Sequence, residues 1–161
     1  MPRRWSPSRP WTRRRSRHGL TVIELLLAVA LLAVLISIAM AQYAGYVERA
    51  RVSEAVHQLR AIEVSIQGFM LINGRYPADL DEVGHDQARD PWNGPIYYRD
   101  LTGPGNGGAR KDRRLNPLNS DFDLFSAGKN GTFKTQITHP DSLDDVIRAR
   151  DGAFLDLAER F

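Results

Sequence analysis

There is no cysteine in this chain. Disulfide staples, Cys-ligated zinc and thiol catalysis are therefore excluded. An oxidising compartment is not, because a domain in such a place need not carry disulfides. Small domains without disulfides often rely on another clamp, such as a metal or a partner. Histidine is scarce too: His18, His57, His85 and His139 show no ligand spacing, which removes transition-metal sites and His-based catalysis. Acidic residues are missing from residues 1–19, which hold Arg3, Arg4, Arg9, Arg13, Arg14, Arg15 and Arg17. Proline and glycine are missing from Leu20–Ala41.

These absences redistribute the charge. The whole chain sums to +3, but seven of its 22 basic residues and none of its 19 acidic ones precede Leu20. The side chains from Leu20 onward therefore sum to −4. A nucleic-acid partner suggested by net charge loses its support. Residues 1–19 are rich in Arg, Pro and Ser, lack apolar periodicity and read as a leader with no fold of its own. Their arginines hold the N-terminus in the cytoplasm by the positive-inside rule.

Leu20–Ala41 is 22 apolar-rich residues, which at about 1.5 Å per residue spans a bilayer core. A single carboxylate, Glu24, lies inside it. An ionised side chain costs roughly 2.5–3.5 kcal/mol at a bilayer centre, so Glu24 either lies shallow or has a partner. An ordinary signal peptide is the competing reading, with Ala39-Met40-Ala41 as its cleavage site and Arg13-Arg14 as a twin-arginine pair. Against it, the run exceeds the usual apolar core of about 7–15 residues.

The helix continues beyond the apolar run. Val52, Val56, Leu59, Ile62, Ile66 and Phe69 recur at helical spacing and form one apolar face. Glu48, Arg49, Arg51, Glu54, Arg60 and Glu63 occupy the others. Gly45 and Tyr46 are the weakest points near the junction, and Asn73-Gly74 followed by Pro77 forms a stop. After the stop, Leu80–Val83 predicts a short helical turn, and Asp90-Pro91-Trp92-Asn93-Gly94-Pro95 is dense in turn formers. Ile96-Tyr97-Tyr98 and Phe122-Asp123-Leu124-Phe125-Ser126 predict strands. Between them, the Gly103–Gly108 loop lacks the Lys-Ser/Thr pair of a phosphate-binding loop. Ala127-Gly128-Lys129-Asn130-Gly131 is a turn, and Leu155, Leu157 and Phe161 predict a docked tail.

The basic leader, Gly19, Glu24 and the apolar run together resemble a prepilin signal, the leader of type IV pilins and type II secretion pseudopilins. The resemblance implies cleavage between Gly19 and Leu20 by a prepilin peptidase, with N-methylation of the new N-terminus. Glu24 is then the fifth mature residue, as in the family; Leu20 stands where the family usually has Phe. The soluble half, through Asn73-Gly74-Arg75-Tyr76-Pro77, Asp90-Pro91-Trp92, Phe122–Gly131 and Asp144-Asp145-Val146-Ile147, resembles the major pseudopilin of type II secretion, the G-type subunit. Asn93-Gly94-Pro95-Ile96 departs slightly from the family's Gly-Asn-Pro-Tyr.

That resemblance implies an α+β, pilin-like fold: a long N-terminal helix packed on a small antiparallel sheet with a C-terminal loop region. The implied segments are a cleaved leader (1–19), a transmembrane and filament-core helix (20–41), its amphipathic continuation (42–72) and a periplasmic domain (73–161). The implied function is a structural subunit, not an enzyme. It would be anchored in the bacterial inner membrane and assemble with itself and with minor pseudopilins, on an inner-membrane platform, into a periplasmic filament that exports folded proteins. Cleavage would free a cationic α-amine on Leu20, and Glu24 of a neighbouring subunit would pair with it. A type IV pilin is the alternative within the class; such pilins often carry a disulfide loop, which this chain cannot form. An enzyme built on Asp121, Asp123 and the late acidic pair has no supporting motif.

The family's C-terminal loop binds Ca2+. The resemblance therefore implies ligands from the side chains of Asn130, Asp144 and Asp145 and the carbonyls of Ala127 and Lys129. Calcium takes about 6–8 oxygen ligands in irregular geometry, which loops can supply. Asn130 stands where the family commonly has Asp, and the segment between Gly131 and Asp144 is longer and less acidic than the family's. The other reading of the same residues is that Asp144-Asp145 cap the turn into Val146-Ile147.

Overall fold

The computed structural model describes residues 19, 21–103 and 108–161. The leader before Gly19, the implied N-terminal residue Leu20, and residues 104–107 of the Gly-rich loop lie outside the described residues. Helix α1 spans Val22–Asn73. It passes Gly45 and Tyr46 without interruption, since one glycine costs only about 1 kcal/mol and no proline is present. It ends at Gly74, whose φ of +70° and N–H bond to the Met70 carbonyl (2.9 Å) make a left-handed cap.

By its internal contacts the chain divides into two units, residues 1–42 and 43–161. In the first, the described residues are almost all α1. Apart from Glu24, Ser37 and Gln42 its helical residues are apolar, and exposed apolar side chains occupy every face, including Val22, Leu26, Val29, Leu32, Leu35 and Met40. A helix apolar all round belongs in a core or a membrane, and this one is long and apolar enough to cross a bilayer.

The second unit packs the rest of α1 on a four-stranded antiparallel sheet. Strands β1 (Ile96–Asp100), β2 (Phe122–Ser126), β3 (Val146–Ala149) and β4 (Phe154–Leu157) lie in the order β1-β2-β3-β4. Tyr98 pairs with Leu124, Phe125 with Ile147, and Arg148 with Leu155. A 3-10 turn over Asp81–Val83 stands where the short helical turn was expected. The α+β, pilin-like architecture is as expected, and β3 and β4 add to the two strands that the sequence predicts.

Both sheet faces are covered. On one, Val52, Ala55, Leu59, Ile62 and Ile66 of α1 meet Ile96, Phe122, Leu124, Val146 and Leu157. The buried stripe includes Ala55, which is fully enclosed, whereas Val56 lies only partly under cover. Each large aliphatic residue fully buried there contributes roughly 1.5–3 kcal/mol. On the opposite face, Phe125, Ile147 and Ala149 are covered by Leu118, Ile137 and Ala158. Strand β2 is consequently buried along its whole length.

One helix residue departs from the amphipathic expectation. Glu63, read on a polar face, is 2% exposed. Its Oε1 accepts from Nε of Arg148 on β3 at 2.7 Å.

Candidate functional site

At the N-terminal end, Gly19 is exposed and outside the helix. Thr21 precedes the first helical residue, and Glu24 is the third residue of α1. The Thr21 Oγ1 accepts from the Glu24 N–H, while Glu24 Oε2 accepts from the Thr21 N–H, both at 3.3 Å. This reciprocal pair is a capping box, which satisfies two backbone donors left free at a helix start. The Thr-x-x-Glu spacing ahead of an apolar run was the legible signal for it. Within one subunit, then, Glu24 has its partner in the adjoining turn. All these groups are exposed and the contacts are long, so the carboxylate remains accessible to a cation.

In the domain, the Asp90–Pro95 turn is organised by a buried carboxylate. Asp90 Oδ1 accepts from the N–H groups of Trp92 (3.0 Å) and Gly94 (2.7 Å), and Oδ2 accepts from Ser126 Oγ. A Cβ on Gly94 would press against that carboxylate, which explains the glycine. The Trp92 indole N–H donates to Glu48 of α1 at 3.1 Å. Two stretches that carry the resemblance, Asp90-Pro91-Trp92 and Phe122–Gly131, therefore meet through one hydroxyl.

The C-terminal loop separates the adjacent acids Asp144 and Asp145. Asn130 and Asp144 come together: the Asn130 N–H donates to Asp144 Oδ2 (2.9 Å) and its Nδ2 to Asp144 Oδ1 (2.6 Å). The same Nδ2 donates to the Asp141 carbonyl, and Asn130 Oδ1 accepts from the Thr132 N–H. The amide nitrogen, not the amide oxygen, thus faces the acidic side. Gly128 (φ +63°) closes the turn, and a Cβ there would run into the Asp144 carbonyl. Ala127 is buried, while Lys129 is exposed with its ammonium 3.9 Å from Glu48.

Asp145 points the other way. It is completely buried, and its Oδ2 accepts from Nη2 of Arg110, itself 2% exposed. Burial pushes the Asp145 carboxyl up to about 6, and the Arg110 charge pulls in the opposite direction. Arg110 lies 4.3 Å from the centre of the Phe125 ring and 5.4 Å from that of Phe133. Its backbone N–H donates to buried Asp123, whose carboxyl is also raised by burial.

This arrangement does not fit the implied calcium ligand set. Among the described residues Asp145 Oδ1 is a buried acceptor with no hydrogen-bond partner, a feature that suits a cation. Its other oxygen is held by a guanidinium, and a dication beside it would be repelled by that buried positive charge. Asn130 presents a donor rather than an oxygen to Asp144. Among the described residues no three of His, Cys, Asp and Glu converge to hold a metal.

A second buried arginine ties the helix to the sheet. Arg148 donates to Glu63 through Nε and to both Asp121 oxygens through Nη1 and Nη2, each at 2.7 Å. Its guanidinium lies 3.9 Å from the Phe122 ring centre. Burial lowers its pKa, but Asp121 and Glu63 outweigh that, so the net shift is upward. Arg110 and Arg148 were not singled out in the sequence. An arginine set within a short apolar run, as in Val146-Ile147-Arg148-Ala149, is the signal for the second of them.

Residues 14–40 match the family model described as the prokaryotic N-terminal methylation motif. The type II secretion system core protein G of Xanthomonas campestris is 25% identical, over 78% of this chain and 85% of that protein. Its counterpart in Dickeya chrysanthemi is 26% identical, over 82% and 83%. A type IV major pilin protein of Neisseria gonorrhoeae is 25% identical, over 87% and 88%. No solved structure matches the chain significantly. The chain thus carries the prokaryotic N-terminal methylation motif and, along most of its length, is similar to type II secretion core protein G and to a type IV major pilin.

Proposed function

We propose that this protein is a structural subunit of a type II secretion pseudopilus, anchored in the inner membrane by α1 with residues 73–161 in the periplasm. The observation that carries this reading is the methylation motif at the head of an exposed, membrane-length apolar helix, on a chain similar along most of its length to core protein G. In this reading a prepilin peptidase cuts between Gly19 and Leu20, and the new amine is methylated. The subunit then leaves the bilayer, through an inner-membrane assembly platform, for a filament shared with minor pseudopilins. Glu24 exchanges its weak capping contacts for the N-terminal amine of a neighbour. In a low-dielectric filament core an unpaired carboxylate is strongly penalised, so this pairing favours one stagger over slipped ones. The similarity to a type IV pilin of about the same extent supports a second reading, a pilus subunit.

The intact mass of membrane-extracted protein tests the first step. Loss of residues 1–19 with one added methyl is expected, whereas a chain beginning at Gln42 would end the reading. Secretion by a strain carrying Glu24→Val tests the second. Membrane insertion should persist while secretion falls; secretion equal to the parent's would remove the registry role of Glu24. Surface fibres without a secretion defect on gene loss would favour the pilus.

A further inference from the structure

We propose that the Arg110 guanidinium supplies the positive charge of the C-terminal loop from within the chain, so that the loop is held without calcium. The resemblance to calcium-binding pseudopilins carries two local departures, Asn130 in place of Asp and a long segment from Gly131 to Asp144. In the structure the long segment packs Phe133 against Arg110, while Asn130 bonds Asp144, the neighbour of the Arg110 partner Asp145.

The long segment pairs with the stretch that carries Arg110. The Lys111 N–H donates to the Thr135 carbonyl at 2.8 Å, and the Ile137 N–H donates to the Lys111 carbonyl at 3.0 Å. This pairing brings Phe133 against Arg110. Phe133 stands edge-on to Phe125 at 4.8 Å and tilted to Tyr97 at 4.7 Å, while Tyr97 stacks on Phe125. The guanidinium therefore sits beside an aromatic cluster with one carboxylate, Asp145, as its ion-pair partner. Among the described residues its Nε and Nη1 have no hydrogen-bond acceptor, and the electron-rich ring faces give the cation a favourable surface instead. A guanidinium is charged at any physiological pH, so the positive charge is always present.

Asn130 completes the exchange. With Asp145 paired inside, Asp144 lies on the outer side of the turn, and two Asn130 N–H donors satisfy it. An Asp at 130 would set two carboxylates against each other and require a cation between them. The uncharged amide, the inserted segment and Arg110 thus make a set in which positive charge and hydrogen-bond donors replace a metal. This inference concerns the loop alone and does not depend on whether the subunit builds a pseudopilus or a pilus.

Thermal unfolding of the purified mature chain in detergent micelles tests it, followed by the fluorescence of Trp92, the one tryptophan after Gly19. The midpoint should be the same in millimolar calcium and in chelator. A calcium site filled about a hundredfold above its Kd would raise it by about 10 °C, and a saturable rise of that kind would overturn the proposal. Arg110→Met removes the charge but keeps an unbranched side chain. It should lower the midpoint by about 10 °C and speed amide exchange in residues 127–145 about tenfold or more, in calcium and chelator alike. Melting and exchange like the parent's would show that the guanidinium holds nothing. Should Arg110→Met fail to fold, the calcium and chelator melts of the parent still decide between the two outcomes.

Discussion

Removing the Glu63 carboxylate should destabilise the domain far more than removing any ion pair on its surface. Glu63 and Arg148 are 2% and 0% exposed along their side chains and meet at 2.7 Å. Glu63→Ala would leave the buried guanidinium with Asp121 as its one carboxylate partner, beside the Phe122 carbonyl, would free Arg60 from Glu63, and would open a space between α1 and β3. Breaking a buried pair by removing one partner costs about 3–5 kcal/mol. Asp121 retains its two bonds to Arg148, which places the expected loss near the lower end, about 3 kcal/mol. For a domain of this size that lowers the melting midpoint by about 10 °C. Residues 43–161, which contain both core clusters, are the fragment to measure, by far-ultraviolet circular dichroism on heating. Arg75→Ala is the control: it breaks a pair with Glu82 at 2.9 Å whose side chains are 56% and 33% exposed, and such pairs are worth about 0–1 kcal/mol. Arg148→Met combined with Glu63→Leu replaces the pair by apolar volume and should recover much of the loss, although Asp121 then loses its partner. A loss below about 1 kcal/mol for Glu63→Ala would refute the reasoning, because the buried charge would then have found water or another acceptor.

Gly128→Ala should cost more than Gly131→Ala: both have positive φ, but only at Gly128 would a Cβ strike backbone, the Asp144 carbonyl. The left-handed conformation alone is worth roughly 1–2 kcal/mol, so equal melting of the two variants would argue against that close approach. Asp90→Ala frees the N–H groups of Trp92 and Gly94 and the Ser126 hydroxyl; the Trp92 emission should move to the red, and an unchanged spectrum would mean the turn holds without its carboxylate. Glu82 is held down to about 2, first by its hydrogen bonds with Arg75 and then by the Ala78 N–H. Its folded value lies below its unfolded one, so its contribution is present above about pH 4.5 and is lost as pH falls towards 2. Glu82→Gln should flatten that part of the acid unfolding curve, and identical curves for parent and variant would remove Glu82 as a contributor.

Much of this protein is determined locally and is legible in the chain. The apolar run without proline or glycine, the stop at Asn73-Gly74, the alternating Phe122–Ser126 strand and the turn at Asp90–Pro95 each carry their own backbone preference, and the structure realises them. Strands β3 and β4 are only four residues long, and Arg148 interrupts their apolar pattern. They become strands by pairing with β2 and with each other across a turn in which Arg150, Asp151 and Gly152 all have positive φ. The destinations of the charges were also decided by tertiary structure. Glu63 looks like a surface residue by helical position, yet it sits where Arg148 needs an anion. Asp144 and Asp145 are neighbours of the same type, but successive residues at a strand's approach point to opposite sides. One therefore meets Asn130 at the surface, and the other meets Arg110, 35 residues earlier, in the interior. Residue type and spacing give the charge of such groups; whether that charge is solvated, paired or available to a ligand depends on which distant segment the fold brings beside it.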